Sequence, residues 1–295
     1  MARLFTFGCS YTTTEFYPSW AGFLGLEFEK FENWGVSGIG CRGIAERVAE
    51  CHVKHKFNKD DVVIVQWTTH LRHDFYNPRC KKRLNAVGWK TSGNMFNQSD
   101  IFTKSWFEDF YFEPAYIMHS LNFMLLVIQR LENAGCKWYM TSIGEWRKLG
   151  TDVFGSPDNI DMLDTMPELA PYYTAIWKDY SHKWIYPIEL AAEELPNDRW
   201  YFRDANRNNE LYLEKHPSPK QYVHWLNKYL RPVLNLGEPP KEQELWLAQL
   251  DQIKSDVGDF CVPLVDTYRN DAGRDRYGKE FWPPAQCWPI QYLGF

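Results

Sequence analysis

The chain has 295 residues, 44% hydrophobic, 24% charged and 17% aromatic, a make-up that excludes a disordered or low-complexity protein. Its 33 Lys and Arg against 38 Asp and Glu leave a formal charge of −5, which weighs against a dedicated nucleic-acid binder. The longest apolar run, residues 123–128, falls far short of the roughly 20 residues that span a bilayer.

The elements follow in chain order. Residues 3–7 are an apolar run entering a tight turn at Gly8 and predict a buried strand. Residues 17–24 place a proline near a helix start, and 28–34 read as a weaker strand. After a glycine-rich turn at 35–43, Ile44, Ala45, Val48 and Ala49 form a helical stripe. Residues 61–67 are the clearest strand, and their β-branched run suits a parallel strand covered on both faces. Residues 72–112 are aromatic and polar without clean periodicity, as an insertion would be. Ile117, Leu121, Met124, Ile128 and Leu131 then mark a long helix stopping at Ala134-Gly135, and 136–143 is the next strand. Helices are expected at 169–184, 219–230 and 241–254, the last opening a C-terminal extension. Alternating strands and helices predict an α/β fold around a mostly parallel sheet, with active groups beyond the carboxyl ends of the strands.

Three segments fall at such ends. In Phe7-Gly8-Cys9-Ser10-Tyr11-Thr12, a glycine ahead of a serine lets the chain turn sharply and expose a nucleophilic Oγ beside a backbone N–H. A phosphate-binding or purely structural loop fits the same hexapeptide. Asn33-Trp34-Gly35-Val36-Ser37-Gly38-Ile39-Gly40 offers amides to an anion or is a plain strand–helix connection, and it lacks the lysine of a P-loop. In Glu214-Lys215-His216-Pro217-Ser218-Pro219-Lys220-Gln221, Ser218 and Gln221 form a capping box with Pro219 at the first helical position. His216 then stands just ahead of a helix, as a general base or as a bystander.

Taken together, in order and spacing, the three segments resemble the blocks of the SGNH (GDSL-type) hydrolase superfamily over residues 3–232. That resemblance implies a flavodoxin-like three-layer α/β/α sandwich, to which this chain adds aromatic-rich insertions. It makes Ser10 the nucleophile and His216 the base, with the amides of Ser10 and Gly38 in the oxyanion hole. Where the family reads G-x-N-D, this chain reads Gln66-Trp67-Thr68-Thr69-His70, so His70 stands about where the donating asparagine would. Position 213 is leucine, which leaves Glu214 as the local acid. The expected domain is 1–232, with an insertion at about 72–112 and an extension at 233–295.

The activity so implied is that of a serine esterase working through an acyl-enzyme on a small-molecule or glycan ester, with no metal or organic cofactor. A carbohydrate is preferred because Trp89, Trp106, Phe107, Phe110, Tyr111 and Phe112 suit sugar stacking as well as core packing. The alternatives are a catalytically degenerate binding or assembly protein of the phage-encoded type and an acyltransferase. Neither nucleic acid nor membrane is an expected partner. A homo-oligomer or virion partner would meet the aromatic tail at 281–289. Seven unpaired cysteines and no apolar leader predict a cytoplasmic protein, or a virion-associated one. Cys51 and His55 share one helical face as metal ligands would, but His70 and His73 make no convincing second pair, so a solvated helix end is preferred. The basic cluster at 79–83 reads as an exposed loop.

Overall fold

The computed structural model describes residues 2–13, 17–76, 89–97, 101–146, 148–149, 160–198, 200–204, 210–213 and 216–256. Glu214, the basic cluster at 79–83 and the aromatic tail at 281–289 lie outside these.

The central sheet is built from β1 (Arg3–Phe7), β2 (Lys30–Asn33), β3 (Val62–Trp67) and β6 (Lys137–Ser142), all parallel, in the order β2-β1-β3-β6. β3 is buried at every position, as its unbroken β-branched run requires of a strand covered on both faces. Between the strands run α1 (Trp20–Gly25), α2 (Cys41–His55) and α4 (Glu113–Ala134). The chain moves one way from β1 to β2 and the other way from β2 to β3 and β6. Right-handed crossovers therefore put α1 on one face and α2 with α4 on the other, giving an α/β/α sandwich. α2 packs along α4, and α1 packs against the Pro219–Trp225 helix. The core between the layers includes fully buried Trp20, Trp67, Trp138 and Trp225, each contributing on the order of 2–3 kcal/mol by apolar burial.

α4 ends where expected, with Gly135 in the left-handed region at φ 66° taking up the last carbonyls. The strand expected at 28–34 is shorter, because Glu27 and Phe28 spend their amides closing the turn after α1. The 72–112 stretch has more order than its periodicity promises. β4 (Arg72–Tyr76) and β5 (Trp89–Asn94) form an antiparallel hairpin, bulged between Arg72 and Asp74. α3 (Lys104–Phe110) follows, with the Thr103 side chain capping the Trp106 amide.

The single helix expected over 169–184 is instead a chain of short turns. An α-turn at Ala170–Tyr173 passes into a π-turn at Thr174–Lys178 and a 3-10 turn at Ser181–Lys183. Pro167 and Pro171 each head a separate turn, since neither can donate within a helix. The segment then leaves the helical path to lay Trp184 and Ile185 beside β6, where the Ile185 amide reaches the Met140 carbonyl at 2.8 Å. A five-residue helix, Ile188–Ala192, follows. Among the described residues no helix is long and apolar enough to cross a membrane.

Candidate active site

The strand order reverses at β1, and the crevice beyond the carboxyl ends of β1 and β3 is where such sheets present ligands. Ser10 sits there, on the turn just past β1. Phe7 pairs with Val65, so one step further Gly8 lies against Gln66. A Cβ on Gly8 would stand 2.1 Å from Thr12 Oγ1 and 2.6 Å from Gln66 Oε1, so close approach demands the glycine. Gln66 Oε1 accepts from the Cys9 amide at 3.2 Å and from Thr12 Oγ1 at 3.0 Å. The Thr12 and Thr13 amides fold back onto the Cys9 carbonyl. Asn33 Nδ2 and Ser19 Oγ both donate to the Thr12 carbonyl, at 2.7 and 2.5 Å. Each of these braces on the backbone of the turn is a buried neutral hydrogen bond.

His216 is carried on the opposite wall. The expected capping box forms: Ser218 Oγ accepts from the Gln221 amide, while Gln221 Oε1 accepts from the Ser218 amide at 2.8 Å. Gln221 Nε2 then donates to the Ala192 and Leu195 carbonyls, and Tyr17 Oη to the Pro217 carbonyl at 3.0 Å. These contacts aim His216 Nε2 at Ser10 Oγ, 2.7 Å away. That is hydrogen-bond distance between a hydroxyl and its base.

Gly38 has φ +72°, a conformation that favours glycine. The loop that holds it is tied to the nucleophile turn by the Val36 amide on the Gly8 carbonyl at 2.9 Å. The hairpin clamps its other side: Gly93 N–H donates to the Gly38 carbonyl at 3.0 Å, and Thr91 Oγ1 donates to the Ser37 carbonyl at 2.9 Å. Neither the Ser10 nor the Gly38 amide has a hydrogen-bond partner among the described residues.

Two carboxyls border this corner, and sequence reasoning passed over both. Asp74 is 3% exposed, and its carboxyl takes the Gly40 and Gly43 amides at 2.8–3.0 Å. It thereby caps α2, whose own N-cap, Gly40, has no side chain to do so. Burial pushes its pKa up to about 6, although the two amides and Arg72 act to lower it. Glu189, in the first turn of the Ile188–Ala192 helix, accepts from Tyr11 Oη. Burial raises its pKa to about 7, with Tyr11, His216 and Arg72 pulling the other way. The Tyr11 ring packs on the His216 ring at a centroid distance of 5.0 Å. Nothing in the local spacing marks Glu189, which lies 27 residues before His216.

His70 is placed differently from the expected oxyanion donor. It is 9% exposed, and its Nε2 lies 3.0 Å from Glu113 Oε1 at the head of α4. Its ring packs near Trp146. Among the described residues no hydrogen bond joins it to Ser10. Gln66 in the same segment is the residue that reaches the nucleophile turn. The acid expected at Glu214 lies outside the described residues.

No protein-family model matches the chain, and no curated protein matches it. Among solved structures, it is similar to a member of the lipolytic protein G-D-S-L family from Veillonella parvula. That match has 11% identity and a TM-score of 0.41, over 77% of this chain and 96% of the other. The protein YXIM of Bacillus subtilis matches at 10% identity with a TM-score of 0.34, over 66% of this chain and 46% of the other.

Proposed function

We propose that the protein is a serine ester hydrolase in which Ser10 attacks the ester carbonyl and His216 takes its proton. The observation that carries this reading is the 2.7 Å contact between Ser10 Oγ and His216 Nε2, on a turn whose next amide is unspent. Attack would form a tetrahedral intermediate with negative charge on the former carbonyl oxygen, which the amides of Ser10 and Gly38 are free to receive, and its collapse with loss of the alcohol would leave an acyl-serine. His216 would return the proton to the leaving alcohol, and water, activated by the same imidazole, would release the acyl group. A small acyl group on a carbohydrate is the favoured substrate. The hairpin that clamps the Gly38 loop through Thr91 leads into a cluster of aromatic side chains, Phe75 on Phe102 and Phe96 on Phe107, with Phe75 and Phe96 partly open to solvent.

The engagement of His70 by Glu113 supports a second reading, a binding protein that keeps the fold without a third oxyanion donor. A fluorophosphonate probe separates the two. The hydrolase should label at Ser10, with labelling lost in Ser10→Ala and His216→Ala variants that keep the wild-type circular dichroism spectrum. A folded wild type that does not label overturns the hydrolase reading.

A further inference from the structure

Away from Ser10, on the α2 face of the sheet, three side chains of different chemistry converge. Glu32 lies on β2 opposite Phe5, and its side chain points to the face opposite that of buried Phe31. Cys51 and His55 are four residues apart on α2 and share one side of its last turns. One ligand atom from each lies within 4.8 Å of the other two. Glu32 Oε2 is already oriented by Trp34 Nε1, which donates to it at 3.0 Å.

Two observations point to something missing between these groups. Cys51 is 0% exposed, and its thiol has no hydrogen bond among the described residues. His55 Nε2 is buried and likewise lacks a hydrogen-bond partner, although Glu32 Oε2 is 3.0 Å from it. A nitrogen and a carboxylate oxygen brought this close without a well-angled hydrogen bond need part by only a few tenths of an ångström to stand as two ligands of one ion. Bonds of about 2.0–2.3 Å to a tetrahedral ion put neighbouring ligand atoms roughly 3.3–3.8 Å apart. The walls are aromatic, with Phe5 5.3 Å from the His55 ring and Trp34 edge-on at 6.2 Å.

We propose that Glu32, Cys51 and His55 form a three-ligand site for one zinc-class divalent ion, with the fourth position left to solvent. Binding replaces the Cys51 S–H bond by a metal–sulfur bond and releases one proton. His55 ligates as the neutral imidazole, and Glu32 as the carboxylate. Thiolate and carboxylate together cancel the dication, so the filled site is neutral. Filling therefore cancels the single negative charge of the empty site and leaves no net positive charge beside Arg3, which donates to the His55 carbonyl, or beside Arg47 and Lys54, which lie over the Trp34 ring. The ion would staple edge strand β2 to the end of α2, independently of what Ser10 does.

Cobalt(II) titration of the chelator-treated full chain tests this. One equivalent should produce tetrahedral d–d bands and a thiolate-to-cobalt charge-transfer band. Cys51→Ser should abolish the charge-transfer band, while Cys136→Ser should keep it. His55→Gln should weaken binding by about 10-fold or more, and Trp34→Phe, which removes the donor to Glu32 and trims the aromatic wall, by about 10-fold. Zinc should raise the melting temperature of the wild type but not of His55→Gln. If Cys51→Ser fails to fold, His55→Gln and Glu32→Gln decide by their cobalt affinity. A wild type without the charge-transfer band, or binding unchanged in these variants, overturns the proposal.

Discussion

The two walls of the Ser10 corner are held by different kinds of bond. The backbone of the nucleophile turn is braced by neutral, buried groups: Gln66, Asn33 and Ser19 on residues 9–13. The opposing parts lean on carboxyls, Glu189 beside Tyr11 and His216, and Asp74 under the Gly40 end of the Gly38 loop. Neutral hydrogen bonds keep their strength across the pH range, whereas a desolvated carboxyl changes its charge within it. The serine should therefore stay in place while its surroundings respond to protons.

The largest test removes the shared contact. Ser10→Ala or His216→Ala should lower ester turnover by on the order of 10⁴-fold or more while leaving the melting temperature nearly unchanged. Loss of both together would say that the walls are structural partners only.

Asp74 comes next, because the sign of its effect is unusual for a carboxylate. Its pKa rises in the fold from an ordinary 3.8 to about 6, so the folded state favours the protonated form. The stability this confers is complete below about 3.8 and lost as pH rises to about 6, at up to roughly 1.4 kcal/mol per pH unit. Urea unfolding across that window should show this slope in the wild type, and Asp74→Asn should flatten it.

Gly38→Ala sharpens the role of the loop. A side chain there meets φ +72° and contacts of 3.2 and 3.3 Å with Gly93 N and Thr91 Oγ1, so the loop must shift. A displaced oxyanion donor should cost about 10²-fold in kcat, with KM little affected. On the neutral wall, Gln66→Leu strands the buried Cys9 amide and Thr12 hydroxyl. Denaturant unfolding should show a loss of about 1–3 kcal/mol, with no added pH dependence.

The smallest effect is expected at Glu189. Ionised above about pH 7, it would favour the imidazolium that forms at His216 during attack. The rise of kcat/KM through about pH 7 that Glu189 ionisation adds in the wild type should be absent in Glu189→Gln, with turnover at high pH lower by about 10-fold. An unchanged profile would confine Glu189 to packing Tyr11.

Much of the frame was legible because it is written in local terms. The apolar run 3–7, the β-branched run 61–67 and the 3.5 spacing through α4 each report a period and a burial that a window of residues contains. The capping box at Ser218 is equally local, and the Gly8 turn announces itself by its glycine. The hairpin at 72–94 was illegible, because its register depends on Gly93 and Thr91 meeting the Gly38 loop more than fifty residues away. The broken segment at 169–184 was misread as one helix, because its tie to Met140 on β6 outweighs its helical pattern.

The same division runs through the site. By itself the sequence determined which residue types stand at the ends of the strands: a serine after a glycine, a glycine-rich loop, and a histidine ahead of a capped helix. Strand polarity and connection handedness then carry those ends to one crevice, so their convergence follows from order alone. The tertiary structure alone decided which side chains complete the surroundings. Gln66, not His70, reaches the nucleophile turn, Glu189 stands behind Tyr11, and Glu32 faces Cys51 and His55. Those choices depend on sub-ångström register and on burial, and both are properties of the packed layers that no short window of the chain contains.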